Sequence, residues 1–169
     1  MAEQVASAAM PEQGRPWALS VIVFLVIGAL IAWSTSVIAL TRFYGSEGTL
    51  LRFDNIGIPN PVITPCFWGA VGFVVALAWS GSLYSRVRRV NPVGGYRMLG
   101  WFLVACVLFG WSVVGYESWR LNQSQTGSII GCLAEPMTSI FQSPCLYGSS
   151  MYLAAMLAAF LVVRKSSAA

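Results

Sequence analysis

The sequence predicts an all-α integral membrane protein, a four-helix transmembrane bundle made of two tandem helical hairpins of parallel, same-topology repeat. Three observations predict it. Of its 169 residues, 57% are hydrophobic and only 9% charged, with a mean hydropathy of +0.69, whereas soluble domains carry about 25% charged residues. Four runs hold no charge: Pro16–Thr41, Asn55–Ser85, Met98–Tyr116 and Pro136–Val163. One short element is also written nearly twice, as Thr64-Pro65-Cys66-Phe67-Trp68-Gly69-Ala70 and Ser143-Pro144-Cys145-Leu146-Tyr147-Gly148-Ser149. Each copy heads an apolar run, and each follows a Trp-Ser pair in the run before it, Trp33-Ser34 and Trp111-Ser112. The offsets between the two copies differ by a single residue, which a loop absorbs.

The chain reads as a single four-span membrane domain over 1–169. Residues 1–15 are small and polar, a mobile tail. A helix needs roughly 20 apolar residues to cross the hydrocarbon core, which places spans near Trp17–Leu40, Pro65–Tyr84, Met98–Tyr116 and Pro144–Val163. The first hairpin repeat then covers about 17–84 and the second about 98–163. The first span exceeds a signal-peptide core of about 7–15 residues and has only Arg15 as a nearby basic flank, so it reads as uncleaved. Between the hairpins, Asn91-Pro92-Val93-Gly94-Gly95 is a turn signal. The other two connections, 42–64 and 117–143, are longer, mix apolar with polar residues, and are the segments large enough to build a site. Small residues at Gly28, Ala32 and Ser36, and at Ala154, Ala155, Ala158 and Ala159, predict close helix packing.

Orientation follows from the basic residues. Arg15, Arg86, Arg88, Arg89, Arg97, Arg164 and Lys165 fall on one side, with Glu3 and Glu12. Arg42, Arg52 and Arg120 fall on the other, among Glu47, Asp54, Glu117 and Glu135. Positive residues mark the cytoplasmic side. The expectation is a multipass plasma membrane protein, of the bacterial inner membrane type, with both termini cytoplasmic and loops 42–64 and 117–143 outside. The net charge of +4 is thereby topological and points to the lipid bilayer as partner, not to nucleic acid.

Much chemistry is excluded. Histidine is absent, which removes the commonest metal and haem ligand and the usual general base; no metal site is expected. The spans as drawn carry no acidic or basic residue inside, whereas proton relays and ion pathways use such groups. No phosphate-binding glycine motif occurs. Sulfur remains. Thr64 and Ser143 suit the N-cap, Pro65 and Pro144 the first helical position, so Cys66 and Cys145 fall at the second, where the helix dipole favours a thiolate. Cys132 joins them on the outer side, and three outer cysteines allow three pairings, a Cys132–Cys145 staple among them. The third thiol can then attack the bridge. Cys106, about 12 Å into its span from the inner end, reads as a small core residue. Trp68 and Tyr147 read as interfacial aromatics or as the faces of a lipid or quinone pocket between the copies.

A four-span bundle with inside termini, a cysteine opening the second span and cysteines before the fourth resembles the DsbB and vitamin K epoxide reductase group. That resemblance implies oxidation of a partner's thiols with electrons passed to a quinone. Cys66 matches one member of the family's Cys-x-x-Cys pair, the positions three residues away holding Ile63 and Gly69, and Cys132 and Cys145 resemble the pair in the loop between the third and fourth spans.

Two functional expectations follow. The first is a small membrane protein serving as an accessory or structural subunit of a membrane complex, its seven Trp and nine Phe suiting lateral contacts with other membrane subunits. The alternative is an outward-facing membrane thiol-disulfide oxidoreductase acting on an extracytoplasmic thiol protein, with Cys66, Cys132 and Cys145 catalytic and a quinone as cofactor. In a square bundle the second and fourth helices would be diagonal, their cysteines facing across a central gap.

Overall fold

The computed structural model describes residues 14–49, 60–86, 93–131 and 135–167. Four long helices dominate: α1 (Arg15–Glu47), α2 (Pro65–Arg86), α3 (Val93–Gln123) and α4 (Pro144–Ser167). All four are long and apolar enough to cross a membrane. At 1.5 Å per residue, the 33 residues of α1 and 31 of α3 reach well beyond a hydrocarbon core of about 30 Å. Both run seven residues past the spans drawn from hydropathy. The reason is local: no glycine or proline interrupts 117–123, and α1 stops only at Gly48, whose φ of 69° lets its N–H close on the Tyr44 carbonyl at 2.8 Å.

The helices form a square. α4 packs along α3 and α1, α1 also along α2, and α2 more sparsely along α3, while α2 and α4 meet at a few points across the diagonal. The core is small and aromatic: Ala18, Val21 and Leu25 of α1, Phe73 and Ala76 of α2, Tyr96, Leu99 and Leu103 of α3, and Tyr152, Ala155, Ala158, Ala159 and Val162 of α4. Gly28 lies under the Phe73 ring. On the diagonal, Phe73 stacks on Tyr152 with centroids 3.8 Å apart and planes 8° from parallel. The outward faces carry Leu30, Trp101 and Leu108, each about two-thirds exposed. Such apolar faces suit lipid, not water.

The Pro-Cys ends of α2 and α4 lie together, at what we call the cysteine end. Arg15, Arg97, Arg164 and Lys165 mark the opposite, basic end. Before each of these helices stands a 3₁₀ turn, Pro61–Ile63 and Ile140–Gln142. Asn60 accepts from the Val62 N–H at 2.9 Å, and Ser139 accepts from the Phe141 N–H at 3.4 Å. The Thr64 and Ser143 N–H groups then close on Pro61 and Ile140 carbonyls, both at 3.0 Å. A two-stranded ribbon, β1 (Ile129–Ile130) and β2 (Pro136–Met137), pairs antiparallel with Ile129 opposite Met137. Arg42 holds this segment to α1 through Glu135 at 2.7 Å.

Candidate functional site: a cavity walled by cysteines

Proline fixes φ and lacks a donor, so Pro65 and Pro144 open their helices without loss and set Cys66 and Cys145 at the second position. The diagonal placement brings both to one cavity of about 340 Å³. Its rim holds Pro65, Cys66, Trp68 and Gly69 of α2 and Pro144, Cys145, Gly148 and Ser149 of α4. Its deeper wall holds Gly72, Phe73, Phe102, Cys106 and Tyr152, with Ala32 and Thr35 closing the α1 side. A smaller gap of about 10 Å³ is also lined by Cys66 and Phe67 of α2 and Pro144 of α4.

The cavity exists because α2 and α3 splay. Toward the basic end they touch, with Leu83 against Gly95 and Trp79 tilted on Phe102 at 6.0 Å. Toward the cysteine end they part, and Trp68 and Phe109 border the cavity while 58% and 47% exposed. The opening therefore lies between α2 and α3, on the apolar flank of the bundle. Trp68 is held edge-on by Phe67, itself edge-on to Trp33, each at 6.1 Å.

The cysteines differ in state. Cys66 is disulfide-bonded, whereas Cys106 and Cys145 are thiols. Cys132 lies outside the described residues. Because Cys145 is a thiol, a Cys132–Cys145 staple is not what this structure contains. Cys106 packs against the core, as its position suggested, and also borders the cavity. It is half-buried and shares the deeper cavity wall with Tyr152. The Tyr152 hydroxyl donates to the Gly69 carbonyl at 2.7 Å. Gly72 leaves room for this, since a Cβ there would lie 2.6 Å from the Tyr152 oxygen.

Of the two aromatics, Trp68 lines the cavity and Tyr147 does not. Tyr147 is half exposed, and its hydroxyl donates to the Phe141 carbonyl at 3.0 Å. It meets the surroundings of the bundle, not a pocket between the Pro-Cys elements.

The sequence reading missed one polar group. Hydropathy assigns Glu117 to the loop 117–143, whereas it lies on α3, 6% exposed. Ser143, fully buried before α4, donates its hydroxyl to Glu117 Oε2 at 2.5 Å. The available signal was the unbroken helical stretch 117–123 after the charge-free run. Its partnership with Ser143, 26 residues on, is tertiary and left no mark in the pattern.

Among the described residues no group of three or more His, Cys, Asp or Glu side chains is placed to hold a metal. The apolar lining fits a flat, uncharged ring: Phe73, Phe102, Phe109 and Trp68 supply faces and edges, and the volume lies at the low end of ligand cavities, about 300–1,000 Å³. No family model, curated protein or solved structure matches the chain.

Proposed function

We propose that the chain is a membrane thiol-disulfide oxidoreductase that works at this cavity and passes electrons to a quinone. The observation that carries the reading is the meeting of an oxidised cysteine, Cys66, and a thiol, Cys145, on one apolar cavity that opens between α2 and α3. An accessory subunit, the other reading of the sequence, needs the same bundle but gives no reason for two sulfurs of different oxidation state to share a cavity. The architectural resemblance to the DsbB and vitamin K epoxide reductase group points the same way.

Exchange conserves electrons. Attack of the Cys145 thiolate on the Cys66 sulfur forms a Cys66–Cys145 bond, breaks the existing one and releases the former partner of Cys66 as a thiolate. Oxidation of a partner protein's dithiol transfers two electrons and two protons: its two S–H groups become a disulfide, and the Cys66 disulfide becomes two thiols. The oxidising equivalent would come from a quinone, which takes up two electrons and two protons in becoming the quinol. Trp68, Phe73 and Phe102 would hold such a ring, and the splay between α2 and α3 admits it from lipid.

The distribution of arginine puts the cysteine end at the outer face of a plasma membrane and both termini in the cytoplasm. The two Pro-Cys elements read as copies of one duplicated hairpin, because each follows a 3₁₀ turn closed in the same way. The test is quinone reduction by dithiothreitol in lipid nanodiscs, followed by absorbance. The full chain should catalyse it and Cys66→Ser should not. Equal rates for both, or no rate above empty nanodiscs, would leave the accessory-subunit reading in place.

A further inference from the structure

We propose that Gly69 and Gly148 determine which ring the cavity accepts, because they leave bare backbone beside Cys66 and Cys145 for a flat quinone to lie against. The inference rests on the quinone reading of this cavity and adds to it two specificity-determining positions. Both helices line the cavity in one register: Cys66, Gly69 and Phe73 on α2, and Cys145, Gly148 and Tyr152 on α4. Each glycine stands three residues after its cysteine and each aromatic seven, so the three share one helix face. Phe73 and Tyr152 are the pair stacked across the diagonal at 3.8 Å. The two faces meet at this pair.

The glycines that border the cavity divide in two. Gly72 and Gly110 are there for packing, since a Cβ on them would collide with the Tyr152 and Ser149 hydroxyls. Gly69 and Gly148 have no such reason. Among the described residues, a Cβ on Gly69 would meet no atom within 4 Å, and one on Gly148 would only touch the Phe73 ring at 3.8 Å, an ordinary contact. Positive φ occurs, among the described glycines, at Gly48 and Gly127 alone, so the backbone at these two places accepts any residue. Glycine is a poorer helix former than alanine, and nothing described within the bundle accounts for it here. What it leaves is open surface one turn beyond each sulfur, on a wall otherwise rich in aromatics. Backbone without a side chain lets a flat ring approach closely.

The readout is binding of tetramethyl-1,4-benzoquinone, whose ring has no free carbon to which a thiol adds, by calorimetry of the full chain in nanodiscs against empty nanodiscs. The wild-type chain should bind it. Gly69→Leu and Gly148→Leu should each weaken binding at least about tenfold, the low end of the roughly 10–200-fold that one methylene decides in an apolar pocket. Gly81→Leu, on α2 but outside the cavity lining and with nothing within 4 Å of a built Cβ, should bind as the wild type does. Gly69→Ala and Gly148→Ala should melt at or above the wild-type temperature. Alanine variants that melt well below it would assign these glycines to packing and overturn the inference. Should a leucine variant fail to fold, the alanine variant at that position binding as tightly as the wild type overturns it equally. A wild-type chain that binds no quinone sinks the cavity reading and this inference with it, whereas wild-type affinity retained by the leucine variants sinks this inference alone.

Discussion

The Tyr152 hydroxyl donates to the Gly69 carbonyl at 2.7 Å, joining the two Pro-Cys helices across 83 residues of chain. The same ring stacks on Phe73, so one side chain of α4 both covers α2 and helps shape the cavity. Removal of the hydroxyl alone separates the two roles. Tyr152→Phe should destabilise the bundle by about 1 kcal/mol or less, while Tyr152→Ala, which also loses the stacked ring, should cost about 3–5 kcal/mol. Denaturant titration of the detergent-solubilised variants checks the ratio.

Gly28 provides a steric test of the diagonal. Its missing Cβ makes room for the Phe73 ring, which is 1% exposed and stacked on Tyr152. Gly28→Ala should therefore cost about 1–3 kcal/mol by overpacking. Gly45, on the same helix with nothing within 4 Å of a built Cβ, is the control. Gly45→Ala should change stability by no more than about 0.5 kcal/mol.

The thiol inventory is predicted residue by residue. Under non-reducing denaturation, Cys106 and Cys145 should take up an alkylating reagent, and Cys66 should do so only after reduction. Non-reduced peptide mapping should find Cys66 in a disulfide-linked peptide that contains neither Cys106 nor Cys145. Detection of Cys145 in that linked peptide would contradict the structure.

The two acidic contacts at the cysteine end should differ in weight. Arg42 and Glu135 meet at 2.7 Å but are 43% and 55% exposed, so Glu135→Gln should cost less than about 1 kcal/mol and fade with salt. Ser143→Ala leaves the buried Glu117 without its hydroxyl donor and should cost about 1–3 kcal/mol. Thermal unfolding at low and high salt distinguishes them.

How much of this was legible in the sequence depends on which force sets each feature. The starts of α2 and α4 were readable to the residue, because Pro65 and Pro144 fix backbone geometry by themselves. The far ends of α1 and α3 were not, because hydropathy reports partition into lipid, whereas a helix runs on until a cap such as Gly48 stops it. The exclusion of Tyr147 from the cavity and the inclusion of Cys106 depend on how α2, α3 and α4 turn their faces, which periodicity of a nearly uniform apolar helix does not encode. Glu117 was hidden for the same reason: its burial follows from Ser143, a residue of another helix start.

The central claim is that the Cys66 disulfide turns over against a quinone. Its most direct measurement is the redox state of Cys66 in a single turnover, read by alkylation and mass spectrometry in nanodiscs. One equivalent of dithiothreitol should convert Cys66 to an alkylatable thiol, and subsequent addition of a short-chain quinone should return it to the protected, disulfide-bonded form. A Cys66 that resists the dithiol, or that once reduced stays a thiol in the presence of quinone, would contradict the account.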